Sequence, residues 1–133
     1  MTGRPSTFRI WWDAARPKTL WAAVAPVLLG VGLAMEQGAF HALAALCALA
    51  GAVLIQIGTN FVNDSEDAVK GADNEARKGP VRAVASGYVS PASMRAAGAV
   101  TFGLAVAAGA ATLYVLRRRA TSGLNKLTLV SPP

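Results

Sequence analysis

The chain has 133 residues, of which 53% are hydrophobic and 15% are charged, and its formal net charge is +6. An ordinary soluble domain has about 25% charged residues, so this composition favours a membrane protein over a soluble enzyme. The positive charge flanks apolar segments, as membrane orientation requires, which argues against a nucleic-acid-binding protein.

Three uncharged apolar blocks occur in the chain, at 19–35, 40–62 and 96–116. Each is close to the roughly 20 residues that a membrane-spanning helix needs. Small residues dominate the blocks, which suits helices that pack closely against other helices. We therefore predict an all-α transmembrane helical bundle, in which a short link at 36–38 makes the first two spans an antiparallel hairpin. A soluble all-α protein with three buried helices is the alternative.

Basic residues flank these blocks unevenly. They occur before the first block and between the second and third, but not between the first and second. The positive-inside rule therefore places the segment 1–18 and the loop 63–95 in the cytoplasm, and the protein in the cytoplasmic (inner) membrane as a multi-pass protein.

The tail 117–133 conflicts with this orientation. Three crossings put it outside, yet it begins with Arg117, Arg118 and Arg119. We interpret residues 19–116 as the N-terminal part of a membrane domain and the tail as the product of a truncation or frameshift. A short basic tail on a small three-helix protein is the alternative.

Acidic residues cluster directly after the second block. Five of the seven in the chain lie within twelve positions, namely Asp64, Glu66, Asp67, Asp73 and Glu75. If the second helix continues past Val62, a single face carries two amides and two carboxylates, at Asn60, Asn63, Asp64 and Asp67. Two carboxylates so close repel each other unless a cation lies between them. Because Mg²⁺ commonly takes one or two carboxylates together with phosphates and water, this face predicts a Mg²⁺-diphosphate site.

The same loop supplies cations that could contact phosphate oxygens, at Lys70, Arg77, Lys78 and Arg82. The alternative is a solvated loop with weak surface ion pairs. Glycines at 71, 79 and 87 predict bends that fold the loop back over the acidic face. Ser90 and Pro91 predict an N-cap and first turn for the third helix.

Three motifs in these regions resemble a known family. RPKTL at 16–20, NDSEDAVKGAD at 63–73 and GPVRAVASGYVSP at 79–91 are similar to motifs of the UbiA superfamily of membrane prenyltransferases. The resemblance is strongest to the branch that acts on 1,4-dihydroxy-2-naphthoate in menaquinone synthesis. It covers about residues 16–116 and does not extend to the tail.

The resemblance implies a bundle of about nine helices, of which this chain supplies three, and transfer of a polyprenyl group from polyprenyl diphosphate to 1,4-dihydroxy-2-naphthoate, giving demethylmenaquinone. It implies that Asp64 and Asp67 are catalytic ligands of Mg²⁺ and that Asp73 is a third ligand. Residues implied to contact the diphosphate are Asn60, Asn63, Lys70, Arg77 and Arg82.

The chain departs from the family pattern because it lacks the second aspartate-rich motif of the later half. The chain is therefore expected to be inactive alone.

Two other classes of membrane protein remain open. A CDP-alcohol phosphotransferase is disfavoured because its D-G-x-x-A-R pattern is absent. A small non-enzymatic membrane protein, such as a transporter subunit or assembly factor, would use the loop for docking.

Overall fold

The computed structural model describes residues 4–71 and 82–129, with side chains for 4–71 and 82–122. The backbone in these ranges is helical and contains no β-strand, which confirms the predicted all-α class. The four helices are α1 (Thr7–Ala15), α2 (Trp21–Glu36), α3 (Ala42–Val69) and α4 (Pro91–Leu129), and a short 3₁₀ turn, Pro17–Thr19, lies between α1 and α2.

Two helices, α3 and α4, are long and apolar enough to cross a membrane, and the mean hydropathies of their 18-residue apolar stretches are 2.0 and 1.9. A third candidate span is the pair formed by α1 with its 3₁₀ turn and α2, which are bent by 50° relative to each other. Each predicted apolar block therefore forms a helix, but the first span is broken where the block begins. Pro17 accounts for the end of α1 at Arg16, because a proline disfavours the helical conformation of the residue before it.

A tight turn connects α2 to α3. Gly38 adopts a positive φ of 63°, and the amide of Ala39 donates to the carbonyl of Ala34 at 2.8 Å. This is the Schellman arrangement, in which a left-handed glycine ends a helix and pairs its last carbonyls. The chain then reverses, and α3 packs against α2 as the hairpin prediction requires.

The start of α4 also agrees with the sequence. The Ser90 hydroxyl accepts a hydrogen bond of 3.1 Å from the amide of Ser93, and the helix begins at Pro91. The predicted N-cap is therefore confirmed.

The most extensive helix contact joins α3 and α4, and glycines make it possible. A methyl group added to Gly58 of α3 would lie 2.8 Å from the Thr101 hydroxyl, and one added to Gly98 of α4 would lie 2.9 Å from Val62. At these two positions the neighbouring helix fills the space that a side chain would need, as is typical of small-residue interfaces in membranes.

A small apolar core lies at one end of this pair, which we call the α1 end. It brings together α1, α3, the segment 82–90 and the start of α4 through Ile10, Ala14, Phe61, Ala83, Val84 and Met94. Trp11 packs its ring edge-on against Phe61 with centroids 5.4 Å apart. This core fixes both α1 and the segment 82–90 against the last turns of α3.

At the opposite end of the pair, α4 continues past the predicted limit at Leu116. Arg119 donates hydrogen bonds to the carbonyls of Ala39 (3.1 Å) and Phe40 (2.8 Å), which belong to the link between α2 and α3. The basic residues that follow the third block thus lie on a continuous helix that contacts the rest of the bundle.

Candidate functional site

The site lies on the last turns of α3, at the α1 end. Because α3 runs to Val69, the spacing of Asn60, Asn63, Asp64 and Asp67 places them on one helical face, as predicted. Asp64 and Asn60 are almost completely buried, with 1% and 3% of their surface exposed, whereas Asn63 is exposed. Burial of a carboxylate is costly unless it is paired and hydrogen-bonded, so the partners of Asp64 decide what this face can do.

Backbone amides hold one oxygen of Asp64. Its Oδ2 accepts hydrogen bonds from the amides of Ala83 (3.1 Å) and Val84 (3.4 Å). These amides begin a single helical turn, in which the amide of Ser86 donates to the carbonyl of Arg82 and Gly87 ends the turn with a φ of 72°. The turn presents unpaired N–H groups to a carboxylate in the way that a helix N-terminus does.

Arg82 lies between the two carboxylates of the face. Its Nη2 donates a hydrogen bond of 2.7 Å to Asp67 Oδ2, and its Nη1 lies 3.6 Å from Asp64 Oδ1. The Arg82 side chain is only 9% exposed. The guanidinium therefore supplies the positive charge that the two carboxylates need, and the loop does fold back over the acidic face as its glycines predicted.

A ligand that binds the second oxygen of Asp64 must displace Arg82, whose Nη1 lies 3.6 Å away. Oδ1 is buried, and within 4–71 and 82–122 no group donates a hydrogen bond to it. Asp64 and Asp67 together offer two carboxylates, and no set of three His, Cys, Asp or Glu side chains converges in the described part of the chain. Two carboxylates completed by water and phosphate oxygens are a normal environment for Mg²⁺, so the residues fit this ion.

The resemblance implied that Asn60 contacts the diphosphate, but its side-chain NH₂ group binds other parts of the protein. Its Nδ2 donates to the Ala15 carbonyl at 2.8 Å and to the Thr19 hydroxyl at 2.9 Å. Both amide hydrogens are therefore used inside the protein. Any contact with a ligand falls to Oδ1, which is an acceptor and suits a metal ion or water better than a phosphate oxygen.

The structure adds Arg16 to the site, which the sequence did not single out as a site residue. The Asn60 side chain, one helical turn before Asp64, donates to the carbonyl of Ala15, the residue before Arg16. A cavity of about 650 Å³ opens beside it, at the bend between α1 and α2, and its described lining is Trp12, Asp13, Arg16, Pro17, Lys18 and Thr19. The Arg-Pro pair was the available signal, because it marks a break that could turn a cation toward the acidic face.

A second cluster of charges lies beside this face and centres on Glu66. Lys70 and Arg95 approach its carboxylate at 3.6 Å and 3.5 Å, and all three side chains are at least a third exposed. Exposed pairs of this kind contribute little to stability and are easily exchanged. Lys70 thus pairs with Glu66, although its predicted partner was a phosphate. The remaining predicted site residues, Asp73 and Arg77, lie outside the described residues, as do Glu75 and Lys78.

Residues 23–122 match the model of the UbiA prenyltransferase family. The chain is 41% identical to the 1,4-dihydroxy-2-naphthoate octaprenyltransferase of Escherichia coli over 83% of its own length and 36% of the relative's. It is also 41% identical to the protein of that name from Mycobacterium tuberculosis, over 78% of this chain and 35% of the relative, and 32% identical to the one from Bacillus subtilis, over 80% and 34%. No solved structure matches.

The chain thus spans about a third of the length of these relatives. The matched part includes all of α3 and the segment 82–90. It therefore includes every described residue of the acidic face, together with Arg82.

Proposed function

The chain belongs to the UbiA prenyltransferase family, and from this we propose that it forms the diphosphate-binding end of an enzyme that transfers a polyprenyl group to 1,4-dihydroxy-2-naphthoate, giving the quinol form of demethylmenaquinone. The observation that carries the proposal is the buried Asp64, held by two backbone amides and by Arg82 on the face that also bears Asp67. The naphthoate specificity is supported by the names of the relatives.

The two carboxylates have a direct role in this proposal. The carboxylates of Asp64 and Asp67 would hold Mg²⁺, while the amides of Ala83 and Val84 keep Asp64 oriented through its Oδ2. The bound ion neutralises charge that develops on the departing diphosphate. Asp73 is proposed as a third ligand.

Arg82 exchanges partners when substrate binds. In the structure it neutralises Asp64 and Asp67, and its forked guanidinium would contact the diphosphate oxygens once a cation took over that charge. Lys70 and Arg77 are proposed to make further phosphate contacts, and Asn60 and Asn63 to contribute polar contacts next to the metal. For Lys70 this requires only the release of a weak exposed pair with Glu66.

The reaction proposed is ionisation followed by carbon attack. The allylic C–O bond breaks and the diphosphate leaves with the bonding electron pair. The electron-rich ring carbon that carries the carboxylate then attacks the allylic cation, and the carboxylate leaves as CO₂. The apolar spans exclude water, which would otherwise capture the cation.

We further propose that the α1 end faces the cytoplasm and that the bundle lies in the cytoplasmic (inner) membrane. The support is the concentration of basic residues in 4–18 and 63–95, on either side of α2 and α3. A polar prenyl diphosphate would then reach the site from the cytoplasmic interface while its prenyl chain stays in the bilayer.

A chimaera tests the function without requiring activity from a third of the enzyme. Residues 1–122 of this chain replace the matching N-terminal part of the E. coli relative, and membranes that contain the chimaera are supplied with octaprenyl diphosphate, 1,4-dihydroxy-2-naphthoate and Mg²⁺. We expect prenylated naphthoate, and we expect D64N in the same chimaera to lower the rate by at least about a hundredfold.

Two comparisons control this experiment. The 133-residue chain alone gives the background, and R95Q in the chimaera removes an exposed cation that belongs to the Glu66 cluster. A well-expressed chimaera that prenylates 4-hydroxybenzoate but not the naphthoate would overturn the substrate assignment. Full activity of D64N would overturn the site.

A further inference from the structure

Asn60 holds the backbone on both sides of Arg16. Its Nδ2 donates directly to the carbonyl of Ala15, the residue before Arg16. It also donates to the hydroxyl of Thr19, which in turn donates to the carbonyl of Arg16 itself at 2.9 Å. One buried amide on α3 therefore fixes the two peptide groups that flank a residue 44 positions earlier in the sequence.

The backbone that is held in this way is unusual. Arg16 has a φ of 52° and a ψ of 68°, and in 4–71 and 82–129 it is the one residue other than glycine with a positive φ. A long side chain in the left-handed region costs free energy, and it persists only where the surroundings enforce it. Such strain in a protein commonly marks a functional position.

The conformation has a consequence for the side chain. A helical Arg16 would continue α1, whereas the left-handed residue ends α1 and begins the 3₁₀ turn that leads to α2. At this bend Arg16 borders the cavity of about 650 Å³, next to Lys18. Trp12 and Asp13 line the same cavity, and Asn60, which holds the bend, lies one helical turn before Asp64 on α3.

We propose that Asn60 is a positioning residue, which acts through Thr19 and the Ala15 carbonyl to turn Arg16 toward the carboxylate face, and that Arg16 there binds the diphosphate of the substrate. This deepens the proposed function and rests on it. The cavity takes an anionic group that is attached to an apolar body. Trp12 and Pro17 contact the apolar part, and Arg16 and Lys18 contact the oxygens.

A purely structural role for Asn60 makes a different prediction. If the amide served only to tie α1 to α3, the loss of Asn60 and the loss of the Arg16 charge would weaken diphosphate binding independently. If Asn60 acts through Arg16, the two losses overlap, and N60A has little further effect once Arg16 is neutral.

The first experiment measures binding of inorganic pyrophosphate with Mg²⁺ to the 133-residue chain in detergent, by isothermal titration. We expect R16Q to weaken binding about tenfold, as for the loss of one charge-assisted contact. N60A and T19V should weaken it by a similar or smaller factor, and R16Q/N60A no more than R16Q alone. R9Q is the matched control, because Arg9 is an exposed cation on α1, the helix that ends just before Arg16. Unchanged binding by R16Q, or additive losses in R16Q/N60A, would overturn the proposal.

The second experiment needs no ligand. It tests whether the hydrogen bonds of Asn60 and Thr19 hold the bend between α1 and α2, an arrangement that we call the clamp. Spin labels are placed at Phe8 and Val69, which are 75% and 59% exposed, in a C47A background. We expect one narrow distance distribution in the parent and in R16Q, and a broader one in N60A and T19V. An unchanged distribution in both N60A and T19V would refute the clamp. If the parent chain binds no pyrophosphate, the proposed diphosphate site fails together with the role of Arg16 in binding, while the spin labels still decide whether Asn60 fixes the bend.

Discussion

The Arg82 guanidinium donates a hydrogen bond of 2.7 Å to the carboxylate of Asp67, 15 residues earlier in the chain. The same group lies 3.6 Å from Asp64, and 91% of the Arg82 side chain is buried. Among the described residues of the loop, Arg82 is the cation that balances the two carboxylates that α3 places on one face. This arrangement ties the stability of the α1 end to the chemistry of the site, because any ligand of the carboxylates must compete with Arg82.

Replacement of Arg82 by glutamine should destabilise the chain. Asp64 would remain buried without its main counter-charge, and loss of one partner of a buried ion pair costs about 3 kcal/mol. Reversible unfolding by SDS in mixed micelles, followed by circular dichroism, measures the change. R95Q removes an exposed cation that pairs with Glu66 and should cost less than about 1 kcal/mol. Equal effects of the two variants would mean that Arg82 is not the central cation of the site.

Much of this site was predictable from the sequence, because its elements are local. Helical spacing alone placed Asn60, Asp64 and Asp67 on one face, and the loop glycines indicated that the chain returns over it. The fold-back of Arg82 was expected only in general terms. Its exact position between the carboxylates depends on the apolar core that holds Ala83 and Val84 against α3.

The role of the bend between α1 and α2 could not be predicted from helical spacing. The hydrogen bond from Asn60 to the Ala15 carbonyl joins residues 45 positions apart, and no periodic pattern carries that information. The left-handed conformation of Arg16 also could not be predicted from the sequence, because arginine has no preference for positive φ. The first apolar block looked like one continuous span, and only the structure shows that it begins with a bend of 50°.

Asp64 and Asp67 should respond differently to replacement by asparagine. In D64N, the amide oxygen can still accept from Ala83 and Val84, but the NH₂ group then faces the Arg82 guanidinium, so two donors meet in a buried place. We expect a loss of about 2 kcal/mol in the free energy of unfolding. In D67N, a side chain that is 35% exposed can turn its oxygen to Arg82 and its NH₂ group to solvent, so the loss should stay near 1 kcal/mol or below.

The same unfolding measurement compares the losses of stability in D64N and D67N. A larger loss for D67N than for D64N would contradict the assignment of Asp64 as the buried, backbone-held member of the pair. Asp13 provides a control, because it forms an exposed pair with Arg9 on α1, and D13N should change stability by less than about 1 kcal/mol.

The contact between α3 and α4 makes a steric prediction. A methyl group at Gly58 would lie 2.8 Å from the Thr101 hydroxyl and 3.1 Å from the Phe102 ring, so G58A should destabilise the helix pair by about 1–3 kcal/mol. Gly103 of α4 has no atom within 4 Å of the same added group. G103A should therefore be neutral or slightly stabilising, since alanine is the better helix former. Similar losses in both variants would show that the helices do not pack as described.

If Arg82 competes with a metal ion for the carboxylates, R82Q should change the affinity for the metal in opposite directions with and without pyrophosphate. Mn²⁺ can replace Mg²⁺ as a paramagnetic probe, and its binding to the chain is measured by electron paramagnetic resonance. Without a diphosphate, R82Q should bind Mn²⁺ about tenfold more tightly than the parent, because the guanidinium no longer occupies the space beside Asp64 and Asp67. With inorganic pyrophosphate present the order should reverse, because the parent gains a charge-assisted contact between Arg82 and the phosphate oxygens. R95Q should match the parent in both conditions. If R82Q weakened Mn²⁺ binding in the absence of pyrophosphate as well, Arg82 would be a permanent support of the carboxylates, and the proposed exchange of partners would be wrong.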